Sequence, residues 1–328
     1  MSKGIGRLFG VGIAKESTRG TAQSAASFWI PFGEAAVEEK DQKIIDEQSF
    51  GVIEDSLGQS IVKQWAEVSL KAPIGDKHFP LLLFAALGSL ATSANADPSG
   101  NVKDHTITVA QSAQHQSLTV FLKDPLANAD YKHALAMVEN LEIDYQLGKF
   151  LDYVVTLRAK KGVSASLTTA YATENRFLPQ HVTFKMASSL SGLAGAAATN
   201  LMALKLKFAK NVEDDEILGS VSPNDFLNKE FMVEGELEAL WNDETFKTLA
   251  LAATPQAFRL DMKNTDVTIG TAANPEIRID LAKVVFKEIT RPIKIKDLVK
   301  QTLSFRGHYS ASDAKMLTIL ATNLQASY

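Results

Sequence analysis

Two stretches decide the fold: VSLKAPIGDKHFPLLLFAALG at residues 68–88 and GELEALWNDETFKTLALAATP at residues 235–255. They align without a gap at a constant offset of 167 and share seven identical positions. Average residue usage gives roughly one or two chance identities in a window of this length. We therefore expect an internal duplication. The alternative is that Ala and Leu, which are common, match by chance in two similar strand–helix units.

Each stretch predicts a strand followed by a helix. The helices are expected at about 77–87 and 244–253, because apolar residues recur there on one face. Asp76 is the expected N-cap of the first helix, and Asp243 or Asn242 that of the second.

Polar and apolar residues alternate through most of the remaining chain, for example at 204–208 and 277–281. This alternation is typical of half-buried strands in antiparallel sheets. The sequence therefore predicts a mainly β protein.

Length supports two units, since 328 residues correspond to about two domains. The segments 150–162 and 298–310 form a second, weaker pair of similar strands near the end of each half. A boundary within 164–174 would separate the copies, which gives the domains 1–170 and 171–328.

Composition excludes several functions. The chain has 34 Lys plus Arg and 38 Asp plus Glu, so its net charge of −4 argues against a dedicated nucleic-acid-binding protein. It has no Cys, which excludes disulfides, thiolate metal sites and cysteine nucleophiles. We find no signal peptide, and the most apolar run, 79–91, is too short to cross a bilayer. We expect synthesis in the cytoplasm, no export signal and no membrane partner.

The sequence shows little catalytic chemistry. None of the six His pairs with another at zinc-ligand spacing. Gly4, Gly6 and Gly10 suggest a dinucleotide-binding loop, but Phe9 stands where its third Gly belongs. We expect no enzyme, and no catalytic residue, cofactor or metal.

The strongest charged constellation is Glu234, Glu236 and Glu238, which share one face of an alternating strand. The offset of 167 places Glu67 opposite Glu234, whereas the other two positions differ. One interpretation is an ordinary solvated strand face. The other is a strip of negative charge on a surface that must not hold nucleic acid, since like charges repel phosphates.

The opening of the chain resembles a known family. Residues 13–22 (IAKESTRGTA) and 29–32 (WIPF) are similar to the start of major tail tube proteins of long-tailed bacteriophages. Those proteins often carry a Lys-Glu-x-x-x-Gly-Thr segment before an apolar-Pro strand. The segments 79–88 (FPLLLFAALG), 105–108 (HTIT) and 317–323 (LTILATN) are also similar to the family pattern, in the same order.

The resemblance implies two tandem β-sandwich or barrel-like tail-tube domains, each with a flanking helix, the first including an N-terminal arm. It implies a virion protein of the phage tail that self-assembles into stacked rings. The channel would carry the tape measure protein and then the genome DNA, with tail terminator and tail-tip proteins as further partners. Glu67, Glu234, Glu236 and Glu238 are then the candidate lumen-facing residues.

Rings in that family usually present six tube domains. Two domains per chain therefore predict three chains per ring with pseudo-sixfold symmetry, and six chains are the alternative. We expect ring-to-ring contacts from the arm before Trp29 and the loops around 91–104 and 188–200, although these could equally be ordinary loops. The alternative function is a secreted or surface β-rich adhesin or tube subunit, a binding module for which the expected export signal is missing.

Overall fold

Strands make up 51% of the residues and helices 8%, so the expected mainly β fold is confirmed. The structure, a computed structural model, describes residues 4–126, 129–293 and 295–328. Over these residues it contains two α-helices, α1 (His78–Leu87) and α2 (Thr245–Leu251), and seventeen strands.

The strands are β1 (Gly10–Lys15), β2 (Phe28–Ile30), β3 (Glu34–Asp46), β4 (Gly58–Pro73), β5 (Gly88–Ala94), β6 (Lys103–Val109), β7 (Leu118–Lys123), β8 (Tyr131–Gln146), β9 (Asp152–Ala159), β10 (Val163–Ser164), β11 (Val182–Ala187), β12 (Ala203–Asp215), β13 (Asp225–Leu240), β14 (Gln256–Lys263), β15 (Glu276–Thr290), β16 (Lys300–Gly307) and β17 (Leu317–Asn323).

Eight strands form one continuous antiparallel sheet, which we call the main sheet. Their order is β3-β4-β9-β8-β12-β13-β16-β15. The two halves of the chain meet at β8·β12, where Gln146 pairs with Ala203 and Asn140 with Ala209. One face of the sheet is polar, and the other is buried.

A second layer packs on the buried face. In the first half, β2, β1 and β7 lead to the first residues of β8, which also pair with β10. In the second half, β11 and β14 lead to the first residues of β15 and on to β17. Most of the buried apolar residues of both layers form one large cluster, as in a β-sandwich. β8 and β15 therefore belong to both layers, and each carries a β-bulge near its bend, at Val138/Asn140 and Phe286/Glu288.

The strand pairings of the first half recur in the second half with the same register. Glu67 faces Arg158 in β4·β9 as Glu234 faces Arg306 in β13·β16. The hairpins β3·β4 and β12·β13 each have a register shift near the same point, at Gln42/Lys43 and Lys210/Val212. The bulges of β8 and β15 also coincide. Thus β3, β4, β7, β8 and β9 correspond in order and pairing to β12, β13, β14, β15 and β16.

A hairpin distinguishes the halves. β5 and β6 follow α1 directly and pair with each other, whereas α2 is followed at once by β14. β6 pairs with β17, so this hairpin of the first half extends the second layer of the second half. The two halves are therefore joined in both layers, through β8·β12 and through β6·β17.

Helix α1 is buried along its whole length because it is apolar on every side. The carbonyl groups of its last turn all accept hydrogen bonds, three of them from donors outside the helix. The donors for Phe84, Ala85, Ala86 and Leu87 are, in order, the Gly88 N–H, the Lys210 ammonium, the His115 ring and the Ala110 N–H.

The expected Asp76 cap of α1 is wrong. Lys77 occupies the N-cap position without a side-chain hydrogen bond. The Asp76 carboxylate instead accepts two hydrogen bonds of 2.8 Å from Asn175, one from its backbone and one from its side chain. Asp76 thus fixes the segment that connects the halves, and its burial raises the pKa of its carboxyl.

Helix α2 is shorter than expected and more exposed. It buries only Phe246, whereas Leu251 is 75% exposed. Glu244 occupies the N-cap position without a side-chain hydrogen bond, so the expected cap at Asp243 or Asn242 is wrong. The Asp243 carboxylate, one residue earlier, accepts a hydrogen bond of 2.8 Å from the Thr245 N–H.

Candidate functional site

The four glutamates singled out from the sequence lie on one face of the main sheet. Side chains alternate between faces along a strand, so burial of Val233, Leu237 and Ala239 in β13 directs Glu234, Glu236 and Glu238 to the other face. In β4, burial of Ala66 and Val68 does the same for Glu67. We call this surface the polar face.

Lysines neutralise three of these glutamates. Ion pairs join Glu67 to Lys40 at 2.5 Å, Glu234 to Lys287 at 2.6 Å and Glu238 to Lys300 at 2.8 Å. The hydrogen bond from Lys40 lowers the pKa of Glu67, and that from Lys287 lowers the pKa of Glu234. Both carboxylates are therefore ionised near neutral pH.

Glu236 forms no ion pair with the described residues. It faces Lys205 across β12·β13 and Ser304 across β13·β16. This central part of the face is a shallow cavity of about 370 Å³, lined by residues that include Glu142, Asp144, Lys205 and Glu236. Acidic and basic side chains alternate across it, so it is not a purely negative strip.

The charge of the whole polar face follows from the strand registers. Up to the register shifts of the hairpins β3·β4 and β12·β13, and including the bulge residue Lys287, ten acidic and nine basic side chains of the described residues lie on it. The acidic ones are Glu34, Glu38, Glu67, Glu142, Asp144, Asp152, Glu234, Glu236, Glu238 and Glu288. The basic ones are Lys40, Lys63, Lys71, Arg158, Lys205, Lys207, Lys287, Lys300 and Arg306. The face thus has a small negative excess.

The two ends of the main sheet expose apolar side chains. The hairpin loops 47–57 and 216–224 lie at one end, and the loop 147–151 and residues 291–293 and 295–299 lie at the other. Their exposed apolar residues are Phe50, Val52, Ile53 and Leu57, Ile217, Leu218 and Val221, Leu147 and Phe150, and Ile293, Ile295 and Leu298. Exposed apolar patches of this kind mark interaction surfaces.

From Gly10 onward, the segment expected as an N-terminal arm is part of the fold. β1 pairs with β2 and β7 and is largely buried. The Glu16 carboxylate is only 3% exposed and accepts hydrogen bonds from the Gly20 N–H at 2.7 Å and the Leu135 N–H at 2.7 Å. The Arg19 guanidinium donates to Asp225 at 2.8 Å, which ties this segment to the second half.

The loop around 91–104 is also anchored within the chain. It is the β5–β6 hairpin, and the Asp97 carboxylate at its turn accepts hydrogen bonds from the N–H groups of Thr271, Ala272 and Ala273. The hydrogen bond with the Ser99 side chain, followed by those from the Ala272 and Thr271 N–H groups, lowers the pKa of the Asp97 carboxyl. The loop 188–200 is largely exposed, with Leu193 buried.

The histidines have local structural partners. His78 contacts Glu174, His181 contacts Asp266, and His115 contacts the end of α1. Within the described ranges, no group of three or more His, Asp or Glu side chains is placed to hold a metal ion. In that same part of the chain, no helix is long and apolar enough to span a membrane.

Comparison with known proteins gives one family. A family model described as phage tail tube protein matches residues 6–307. No curated protein matches the chain.

Proposed function

The chain belongs to the phage tail tube protein family, a family of structural components of the virion tail, and from this we propose that it assembles into stacked rings that form the tail tube. The lumen would conduct the tape measure protein and then the genome DNA, and the tube ends would meet the tail terminator and tail-tip proteins. Synthesis would take place in the host cytoplasm.

The main sheet carries this proposal. It is eight strands wide, polar on one face, and ends at β3 and at the second part of β15. Among the described strands, β3 pairs with β4 alone, and residues 285–290 of β15 pair with β16 alone. Unpaired strand edges favour pairing with another chain, and closure into a barrel removes them. A ring of subunits would complete this closure.

Three chains give a suitable circumference. Twenty-four strands at about 4.8 Å spacing enclose a barrel roughly 37 Å across at the backbone, and side chains leave roughly 27 Å, more if the strands tilt. This exceeds the width of a DNA duplex. Six chains would give roughly 73 Å, much wider than DNA requires.

The recurring registers support the division into tube domains 1–170 and 171–328. Each half contributes four strands to the main sheet in the same order. Three chains would therefore supply six similar units, a pseudo-sixfold ring. Gene duplication followed by insertion of the β5–β6 hairpin accounts for both the likeness of the halves and their one large difference.

The polar face would line the lumen. The second layer and both helices pack on the opposite face, and they would fill a barrel of this diameter if they lay inside it. Glu67, Glu234, Glu236 and Glu238 would then face the channel among balancing lysines. A small negative excess repels DNA weakly and offers no continuous basic track to hold it.

Stacking would use the two ends of the main sheet. In each half, exposed apolar residues lie at both ends, so rings stacked along the strand direction would bury both sets. Burial of apolar surface stabilises such contacts by about 25 cal/mol per Å².

Native mass measurement of isolated rings, together with electron microscopy of the purified full chain, tests this function. We expect tubes or stacked rings with an open lumen, and three chains per ring. Six chains per ring would contradict the trimer, and a protein that stays monomeric under all assembly conditions would contradict the tube itself.

A further inference from the structure

The strand pairing β8·β12 joins the two halves of one chain, and an equivalent pairing could join two chains. β8 of the first half corresponds to β15 of the second, and β12 corresponds to β3. The pairing β8·β12 therefore has a counterpart, β15·β3, which one chain cannot form because these strands are the opposite edges of its main sheet.

We propose that β15 of one chain pairs with β3 of a second copy in an antiparallel ladder, with Glu288 opposite Lys40, Ile289 opposite Glu39, and Thr290 opposite Glu38. This inference rests on the proposed ring assembly and specifies its contact. The register follows from the internal junction, where Asn140, Leu141 and Glu142 face Ala209, Phe208 and Lys207. The recurring bulges fix the correspondence of β8 with β15 and of β12 with β3.

Burial at the two edges supports this pairing. Leu206 in β12 and Leu141 in β8 are 2% and 0% exposed, because the internal junction covers them. Their counterparts, Val37 in β3 and Ile289 in β15, pack against the core and are only partly buried. A partner strand at each edge would cover them in the same way.

Charge also supports the register. Lys40 and Glu288 would lie directly opposite each other on the polar face, and opposite charges at such positions stabilise a sheet. A shift of two residues would instead place Glu288 opposite Glu38. The ladder would end at Arg291, because Pro292 has no N–H to donate.

Disulfide cross-linking tests the register directly, since the chain has no Cys. Directly opposed residues in an antiparallel pair have Cα atoms about 4.5–5.5 Å apart, which a disulfide can span. In tubes of the double variant K40C/E288C, oxidation should produce covalent oligomers up to the number of chains in the ring. The variant E38C/T290C, which tests the same register two residues away, should give the same products.

Two controls make the result interpretable. N140C/A209C, the equivalent pair of the internal junction, should oxidise within one chain and migrate as a monomer. A36C/E288C, four residues out of register, should remain reduced. Mixed tubes of the single variants K40C and E288C should give dimers only.

Each outcome separates the two proposals. If tubes form and N140C/A209C oxidises while both in-register pairs stay monomeric, or if A36C/E288C cross-links instead, the ladder is wrong and the tube function stands. If the unsubstituted chain forms no rings, the proposed function itself fails.

Discussion

One lysine connects the two halves at the end of a helix. Lys210 lies in β12, is 7% exposed, and donates a hydrogen bond of 3.0 Å to the Ala85 carbonyl in the last turn of α1. A cation is favourable at a helix C-terminus, but burial penalises the charge. Burial, with a smaller contribution from nearby Arg19, lowers the pKa of Lys210 to about 7.

This predicts a specific pH dependence of folding. The pKa of Lys210 is about 7 in the folded state, against an ordinary value of 10.5, so between these values the folded chain binds fewer protons than the unfolded chain. The free energy of unfolding therefore rises with pH in this window, by at most about 1.4 kcal/mol per pH unit. Urea unfolding of unassembled subunits at several pH values within the window should show the rise.

Lys210→Met should remove this part of the pH dependence, whereas Lys300→Met, at a position on the polar face, should retain it. An unchanged pH profile in Lys210→Met would show that the buried ammonium does not control stability.

For single residues, the sequence predicted which face of a strand a side chain occupies better than it predicted the ion-pair or hydrogen-bond partner of that side chain. Alternation was sufficient to place Glu234, Glu236 and Glu238 on one surface. It could not show Lys287, which pairs with Glu234, because this lysine is the extra residue of a β-bulge, where strict alternation fails. The role of Glu16 was also hidden, since three of its donors, Ser117, Thr119 and Leu135, lie far from it in the sequence.

Among the elements, the two helices differ most in burial. Leu83 in α1 is fully buried, whereas Leu251 in α2 is 75% exposed. Leu83→Ala should lower the free energy of unfolding by about 2–5 kcal/mol, because it leaves a cavity in a packed core. Leu251→Ala should change it by less than about 0.5 kcal/mol in the isolated subunit. Urea denaturation of both variants measures this difference, and similar losses in the two would contradict the burial of α1.

Element prediction succeeded where the sequence carries a local start or stop signal. The α1 prediction of about 77–87 agrees with 78–87, because Gly88 ends the helix in the left-handed conformation at φ 91°. Two strands show no alternation in the sequence because both of their faces are buried. β1 is such a strand, and so is the first part of β8, where Leu135–Val138 are all buried and no alternation remains.

For the whole molecule, the charge balance of the polar face makes a prediction about DNA. Up to the register shifts of the two hairpins, ten acidic and nine basic residues per chain leave a small negative excess. Replacing Glu234, Glu236 and Glu238 by Gln removes three negative charges and makes the face net positive. Tubes of this triple variant should retain short duplex DNA at low salt and release it as salt rises. Co-sedimentation of labelled DNA with tubes measures this.

The matched control removes three acidic groups away from both the polar face and the proposed stacking loops, in Asp124→Asn, Asp266→Asn and Asp313→Asn. Its tubes should retain no more DNA than unsubstituted tubes. Equal retention by both triple variants would show that total charge, rather than the polar face, governs DNA binding.

The offset of 167 predicted the large-scale organisation only in part. It relates β4 and α1 of the first half to β13 and α2 of the second half. After α1, the β5–β6 hairpin changes the offset, and β9 corresponds to β16 at 148. This insertion explains why the similarity of 150–162 to 298–310 looked isolated in the sequence. A hairpin that pairs with a distant strand leaves no local pattern from which its partner could be predicted.

The β5–β6 hairpin has a mechanical consequence for a three-chain ring. The junction inside each chain is formed by two strand pairings, β8·β12 and β6·β17. The junction between chains has no counterpart of β6·β17, because α2 is not followed by a hairpin that could pair with β10, the counterpart of β17, in the neighbouring chain. The ring would therefore have three strong junctions within chains, alternating with three weaker junctions between chains. Under mechanical strain the ring would open at the weaker junctions between chains. The single chain, which makes up one third of the ring, would then be the unit that is added or lost when a tube grows or breaks.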